Sequence, residues 1–120
     1  MYNPDNSLAA SATADANGVF SLTAPAGNYT VVATASGHLS AQGPATLTLG
    51  ETSTKTSVTL LAGDIDGNNV IDQYDAMTIG MSYNATAPDV ADLNSDGIIN
   101  ILDLQILAAN FRKSGALDWP

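Results

Sequence analysis

Two acidic stretches decide the fold of the second half of the chain: DIDGNNVIDQYD at residues 64–75 and DLNSDGIINILD at residues 92–103. Their first residues, Asp64 and Asp92, are 28 positions apart, and the two stretches align without a gap. In both, Asp or Asn occupies positions 1, 3, 5, 9 and 12, and helical spacing of apolar residues follows. The sequence therefore contains an internal repeat of an oxygen-rich loop followed by a helix.

The spacing of these oxygen-bearing residues is typical of a calcium loop. Calcium takes about six to eight oxygen ligands, which a 12-residue loop supplies from five side chains and one backbone carbonyl. The predicted ligands of the first site are Asp64, Asp66, Asn68, Asp72 and Asp75, with the carbonyl of Val70. Those of the second site are Asp92, Asn94, Asp96, Asn100 and Asp103, with the carbonyl of Ile98. A single Asp- and Asn-rich stretch could be an ordinary turn, but two complete loops predict two bound Ca²⁺ ions.

Composition excludes several classes of function. The chain carries 12 acidic and 3 basic residues, a net charge of −9, so a nucleic-acid partner is not expected. It has no cysteine and one histidine, His38, which argues against thiolate catalysis, zinc sites and a Ser–His–Asp triad. No apolar run approaches about 18 residues, so no membrane span is expected. Because nearly all carboxylates are assigned to calcium, we do not expect an enzyme.

The first half of the chain, residues 1–61, favours β structure. Its short alternating segments are GVFSL at 18–22, NYTVVATAS at 28–36, ATLTL at 45–49 and TSVTLL at 56–61. Turn signals separate them, among them ANG at 16–18 and QGP at 42–44. This spacing predicts a small β-sandwich. Four strands are too few for two closed sheets, so we expect the module to be incomplete at its N-terminal end.

The turn and aromatic residues of this half resemble the carboxypeptidase-regulatory-like family of transthyretin-like β-sandwich modules. The pattern Asp-x-x-Gly-x-Phe, Pro-x-Gly-x-Tyr, Gly-Tyr/His is matched at Asp15, Gly18, Phe20, Pro25, Gly27, Tyr29, Gly37 and His38. The match covers residues 13–61. It implies a non-catalytic spacer or accessory module.

Neither acidic loop is preceded by a helix-forming stretch. Residues 54–63 before the first loop are rich in β-branched residues and strand-like, and Pro88 interrupts residues 83–91 before the second. A calcium sensor needs a helix on both sides of its loop, so a calcium switch is not expected. Two loop–helix units over residues 63–113 instead resemble a dockerin. That resemblance implies a calcium-bearing module of a secreted microbial protein, extracellular or at the cell surface, which binds a cohesin domain as in cellulosomes.

Helical spacing after each loop produces two apolar stripes. The first is the expected core face, formed by Ala76, Ile79, Gly80, Tyr83, Leu104, Leu107, Ala108 and Phe111. The second is left over for an interface, or for packing against the β module. With the neighbouring positions that the dockerin resemblance adds, the predicted partner-binding residues are Gln73, Tyr74, Met77, Thr78, Met81, Ile101, Leu102, Gln105, Ile106, Ala109 and Arg112. Because the paired positions of the two repeats differ, we predict one preferred binding orientation.

These observations predict two small domains. The first, residues 1–61, is an all-β partial sandwich; the second, residues 62–120, is an α-helical dockerin with two calcium loop–helix repeats. Trp119 belongs either to a disordered tail or to a contact near Leu61–Gly63. The expected function is calcium-dependent docking onto a cohesin domain. The alternative is a calcium-stabilised structural segment of a cell-surface adhesin or S-layer-like protein that has no cohesin partner.

Overall fold

The structure, a computed structural model, describes residues 1–120. Its elements, in chain order, are the strands β1 (Gly27–Ala33), β2 (Gly37–His38), β3 (Ala41–Leu47) and β4 (Ala62–Asp64), the helix α1 (Gln73–Met81), a short 3-10 helix (Asp89–Ala91), the helix α2 (Ile101–Ala109) and the strand β5 (Leu117–Asp118). One sheet has the order β1-β3-β5, and β2 pairs with β4 in a second, two-stranded sheet. That pair is antiparallel and irregular, with Gly37 opposite Asp64 and His38 opposite Ala62.

The expected fold class, an all-β partial sandwich followed by an α-helical dockerin domain, is wrong. The structure is mostly β with a few short helices, and α1 and α2 have only nine residues each. Each helix is capped at its C-terminus, by Ser82 or Asn110. Two residues further on, Asn84 and Arg112 have left-handed backbones (φ 64° and 69°), which end the helical path. The strands β4 and β5 carry β structure into the part that was expected to be helical.

The strand predictions for the first half are right in part. The segment 28–36 contains most of β1, whose burial alternates as expected at Tyr29 and Val31. The segments 18–22 and 56–61 are not strands, and β3 runs through the turn predicted at 42–44. A Cβ atom at Gly43 would overlap the carbonyl oxygen of Trp119. Gly43 therefore serves close approach of a neighbouring strand, not a turn.

The chain divides into two compact units. The first comprises Met1–Val32, Gln42–Val58 and Asp118–Pro120, and the second comprises Ala33–Ala41 and Thr59–Leu117. The backbone thus passes between units four times. The predicted division into domains at residues 61 and 62 stays a prediction.

The core of the first unit contains β1 and the C-terminal tail. Trp119 is 3% exposed, and its indole N–H donates a hydrogen bond to the carbonyl of Thr56 at 2.6 Å. The Phe20 ring meets the indole edge-on, with 5.9 Å between ring centroids. Tyr29, also buried, donates its hydroxyl to the carbonyl of Pro25 at 2.6 Å, which closes the Pro-x-Gly-x-Tyr turn. Both expectations for Trp119 are therefore wrong: the tail is ordered, and the indole packs in the first unit.

The second unit has a compact aliphatic core that draws on both repeats. Its buried members are Leu39, Ile65, Ile71, Ile79, Ala91, Ile99 and Leu107. The expected core stripe of the helices is narrower than predicted: Ile79 and Leu107 are buried, and Ala76 and Leu104 pack against the core. The remaining members of that stripe, Gly80, Tyr83, Ala108 and Phe111, are exposed. Neither helix has the length and hydrophobicity that a membrane crossing requires.

Candidate functional site

The two acidic loops and their helices have the same local structure, position by position. Both helices begin at position 10 of their loop and have equal length. Left-handed backbone occurs at position 4 (Gly67 and Ser95) and at position 6 (Asn69 and Gly97) of both loops. The prediction of a left-handed residue at position 6 is confirmed. The 28-residue repeat is therefore structural as well as sequential.

The two repeats exchange equivalent backbone hydrogen bonds. The isoleucine at position 8 of each loop is fully buried and pairs with the segment that follows the other repeat's helix. Ile71 N–H donates to Lys113 O and Ile99 N–H donates to Ala85 O, each at 2.9 Å. In return, Arg112 N–H donates to Ile71 O at 2.7 Å, and Asn84 N–H donates to Ile99 O at 2.6 Å. This reciprocal pattern gives the second unit an approximate two-fold relation between repeats.

Six of the predicted ligand carboxylates converge in two groups. Asp64, Asp66 and Asp75 each offer an oxygen within 4.8 Å of the others, as do Asp92, Asp96 and Asp103. Each group draws on positions 1 and 12 of its loop, together with position 3 in the first and position 5 in the second. Convergent carboxylate oxygens are the ligands that calcium prefers, so both groups could hold this cation.

The aspartate at position 12 also organises its own loop. Asp75 and Asp103 are fully buried. One oxygen of Asp75 accepts the N–H groups of Ile65 and Asp66 at 2.7 and 3.0 Å, and the other accepts that of Asp72 at 2.9 Å. Burial of a carboxylate is costly unless it is hydrogen-bonded or paired, and these bonds meet part of that requirement.

The residue at position 9 of each loop is the N-cap of the following helix. Asp72 accepts a hydrogen bond from Tyr74 N–H at 3.0 Å, and Asn100 accepts one from Leu102 N–H at 2.9 Å. Together with the position-12 aspartate, each completes a capping box. Sequence reasoning missed this second role, although D-x-x-D and N-x-x-D before a helix are the signal for it.

The aspartate at position 1 of the first loop has a buried oxygen without a partner. Asp64 is 3% exposed, and its Oδ1 is buried without a hydrogen-bond partner. Its Oδ2 accepts only the N–H of Asn69 at 2.9 Å. An unpaired oxygen on a buried carboxylate costs free energy unless a cation or a donor reaches it. The donor set, all oxygen with several carboxylates, fits a hard cation such as Ca²⁺.

The other predicted ligands lie in the same loops and are hydrogen-bonded locally. Asn68 Oδ1 accepts from Val70 N–H at 3.0 Å, and Asp96 Oδ1 accepts from Ile98 N–H at 3.1 Å. Asn94 Nδ2 donates to Asp96 Oδ2 at 3.1 Å. The carbonyls of Val70 and Ile98 lie at position 7, and their role as ligands stays a prediction.

The predicted partner-binding residues, from Gln73 to Arg112, which we call the docking face, are largely solvent-exposed. Its five large apolar side chains have exposed fractions of 58% (Tyr74), 55% (Met77), 84% (Met81), 49% (Ile101) and 47% (Leu102). Of the other predicted partner residues, Thr78 and Ile106 are half-buried and Gln73, Gln105, Ala109 and Arg112 are exposed. An apolar group of this kind on two short helices is typical of an interaction surface.

A family model matches the first half of the chain. The carboxypeptidase regulatory-like domain matches residues 1–61, so the resemblance predicted over residues 13–61 is confirmed and reaches further toward the N-terminus. No curated protein sequence matches the chain.

Three solved structures are similar. Two are complexes from Acetivibrio cellulolyticus described as a C-terminal and an N-terminal interface mutant of a type II cohesin–X–dockerin complex. They are 28% and 27% identical, have TM-scores of 0.71 and 0.72, and the match covers 88% of this chain and 76% of theirs. The third, a type II cohesin–dockerin domain from Bacteroides cellolosolvens, is 41% identical over 51% of this chain and 98% of its own, with a TM-score of 0.43.

The matches are to a regulatory-like domain and to docking complexes, not to catalytic families. The Asp15, Gly18 and Phe20 positions and the hydrogen-bonded turn from Pro25 to Tyr29 lie inside the matched range. Since that range spans half of the 120 residues, the protein belongs to the carboxypeptidase regulatory-like domain family.

Proposed function

We propose that this chain is a non-catalytic, calcium-stabilised docking module that binds a cohesin domain through the docking face. The observation that carries the proposal is the group of exposed apolar side chains on α1 and α2. The chain that presents it is similar, at a TM-score of 0.72, to a structure described as a type II cohesin–X–dockerin complex. Such complexes contain both a cohesin and a dockerin. The two acidic loops favour the dockerin role for this chain.

Calcium has a structural role in this proposal. Asp64, Asp66 and Asp75 would hold one ion, with Asn68 and Asp72 nearby; the second loop would hold another through the equivalent positions. The bound ion would compensate part of the negative charge of the carboxylates. With environmental calcium about a thousandfold above the dissociation constant, each ion stabilises the folded state by about 4 kcal/mol.

The charge of the molecule supports the same role. Seven of the 12 acidic residues lie in the two loops, while the chain has 3 basic residues in total. Within each loop, three carboxylate oxygens lie within 4.8 Å of one another. Like charges at such distances repel, and bound cations relieve the repulsion. Because the loops fix the first turns of α1 and α2, calcium would hold the docking face in place.

The docking face favours one orientation of the partner. The two-fold relation of the repeats places unlike residues at equivalent positions: Gln73 with Ile101, and Met81 with Ala109. A half-turn would therefore exchange a polar side chain for an apolar one at the first pair, and a large apolar side chain for a small one at the second. The penalty for such an exchange favours a single mode. Cohesin binding also implies a secreted or cell-surface setting.

The docking face is tested by shortening one of its central side chains. We expect Leu102→Ala to weaken binding to a type II cohesin domain by about tenfold or more, because truncation at an apolar interface core removes buried contact area. The matched control is Leu49→Ala, since Leu49 is 88% exposed and lies outside the helices. Surface plasmon resonance in millimolar calcium measures both, with circular dichroism to check folding. Equal affinities for Leu102→Ala and wild type would contradict the proposed face.

A further inference from the structure

The two acidic loops differ at position 6, where the first has Asn69 and the second has Gly97. Both residues are left-handed, at φ 67° and 89°. Both donate their backbone N–H to the position-1 aspartate: Asn69 to Asp64 Oδ2 and Gly97 to Asp92 Oδ2, each at 2.9 Å. The loop backbone therefore needs no side chain at this position, yet the first loop has one.

The Asn69 side chain is bonded to a distant segment of the same unit. Its Oδ1 accepts the backbone N–H of Ser40 at 2.9 Å and lies 3.2 Å from the Ser40 hydroxyl. Its Nδ2 donates to that hydroxyl at 2.9 Å. Ser40 lies 29 residues earlier in the chain and is half-buried. These contacts connect the first loop to the link between β2 and β3.

The same residue also holds the segment that leads to β5. The Asn69 carbonyl accepts the N–H of Gly115 at 2.9 Å, and the Ser40 carbonyl accepts that of Leu117 at 2.8 Å. A Cβ atom at position 115 would overlap the Asn69 side chain, so a larger residue there would have to displace that side chain. Asn69 thus joins Asp64, Ser40 and Gly115 in one hydrogen-bonded group.

The second loop has no equivalent connection. Gly97 is exposed, and a Cβ atom there would meet nothing within 4 Å. Its position-1 partner, Asp92, is half-buried, whereas Asp64 is 3% exposed. The position-1 aspartate of the first site is therefore more deeply buried than that of the second.

We propose that Asn69 is a positioning residue that couples calcium at the first site to the order of Ser40 and Gly115–Leu117. This inference rests on the calcium binding of the proposed function. An ion that fixes Asp64 also fixes the acceptor of the Asn69 N–H, and the Asn69 side chain and carbonyl carry that constraint to the two distant segments. The first site binds calcium more tightly than the second, and its occupancy protects the Gly115 and Leu117 amides.

The test replaces Asn69 by the residue that the second loop uses. Asn69→Gly keeps the left-handed backbone and every predicted ligand, and it removes only the side-chain bonds. In an Asp92→Asn background, which isolates the first site, calorimetry with calcium chloride should show an affinity about tenfold lower than in Asp92→Asn alone. Hydrogen exchange should show that the calcium-dependent protection of Leu117 is lost, because its acceptor residue Ser40 is no longer held by the Asn69 side chain, while protection of Ile99 and Leu107 persists. Ser40→Ala, which keeps the Ser40 N–H bond, should have a smaller effect of the same kind.

The matched control is Asn84→Gly, the same substitution at a second left-handed asparagine, which is exposed and has φ 64°. It should leave the first-site affinity within about twofold and the Leu117 amide protected. Unchanged affinity and protection in Asn69→Gly would overturn the positioning role, even though the proposed function would stand. A wild-type chain that binds no calcium would overturn both.

Discussion

At the scale of single residues, the sequence predicts the loops well because calcium ligation imposes a fixed spacing of oxygen donors. The convergence of Asp64 and Asp75, 11 positions apart, could be anticipated from that spacing alone. The contact between Asn69 and Ser40 could not, because no local pattern connects residues 29 positions apart. The position-12 aspartates fall between these cases, since their capping role has a sequence signal that ligand reasoning alone overlooks.

The residue-scale prediction concerns the two position-1 aspartates. Asp64→Asn keeps the size of the side chain and removes the charge of a buried group that has an unpaired oxygen. We expect it to abolish one calcium site, or to weaken it by more than about tenfold, because ligand charge sets calcium affinity. Asp92→Asn is the matched variant for the more exposed loop and should affect the other site alone. Calorimetry of both variants counts the sites, and two unchanged sites in Asp64→Asn would contradict the ligand assignment.

At the scale of elements, the helices follow from the sequence and the strands follow only in part. The apolar spacing predicts a helix with each loop, and α1 and α2 confirm it, although both begin inside their loop, at position 10. The helices are shorter than an α-helical domain needs, because left-handed residues follow the C-caps at Asn84 and Arg112. The short strands β2, β4 and β5 depend on tertiary pairing, which two- and three-residue segments do not encode locally.

The element-scale prediction concerns β5 and the tail that follows it. Trp119 packs edge-on against Phe20, and the Nζ of Lys55 lies 5.1 Å from the indole centroid. Trp119→Ala should lower the free energy of unfolding by about 3–5 kcal/mol, as truncation of a buried aromatic residue does. Trp119→Phe should cost less, because it keeps most of the apolar contact and loses the hydrogen bond to Thr56.

Chemical denaturation followed by circular dichroism measures both Trp119 variants. Leu49→Ala is the control, because Leu49 is exposed, and it should stay within about 0.5 kcal/mol of wild type. A loss below about 1 kcal/mol in Trp119→Ala would show that the tail is not part of the folded first unit.

At the scale of the whole molecule, composition excludes more than it identifies. A net charge of −9 and the lack of cysteine remove several classes of function, but neither predicts how the chain divides. The backbone passes between the two units four times; residues 33–41, for example, belong to one unit and residues 42–58 to the other. A comparison of local composition along the sequence assigns neighbouring residues to the same domain. It therefore cannot predict a backbone that passes repeatedly between two units. The proposed function depends on features that are easier to find in the sequence, because the acidic loops and the exposed residues of α1 and α2 lie on contiguous segments.

The most direct test of calcium-dependent docking is a calorimetric titration of the chain with a type II cohesin domain, in millimolar calcium and in excess chelator. We expect a saturable one-to-one complex in calcium and no measurable binding in chelator, because the loops that position α1 and α2 lose their cations. Calcium binding without cohesin binding would contradict docking and favour a calcium-stabilised structural segment. Equal cohesin affinity in both buffers would contradict the role of calcium.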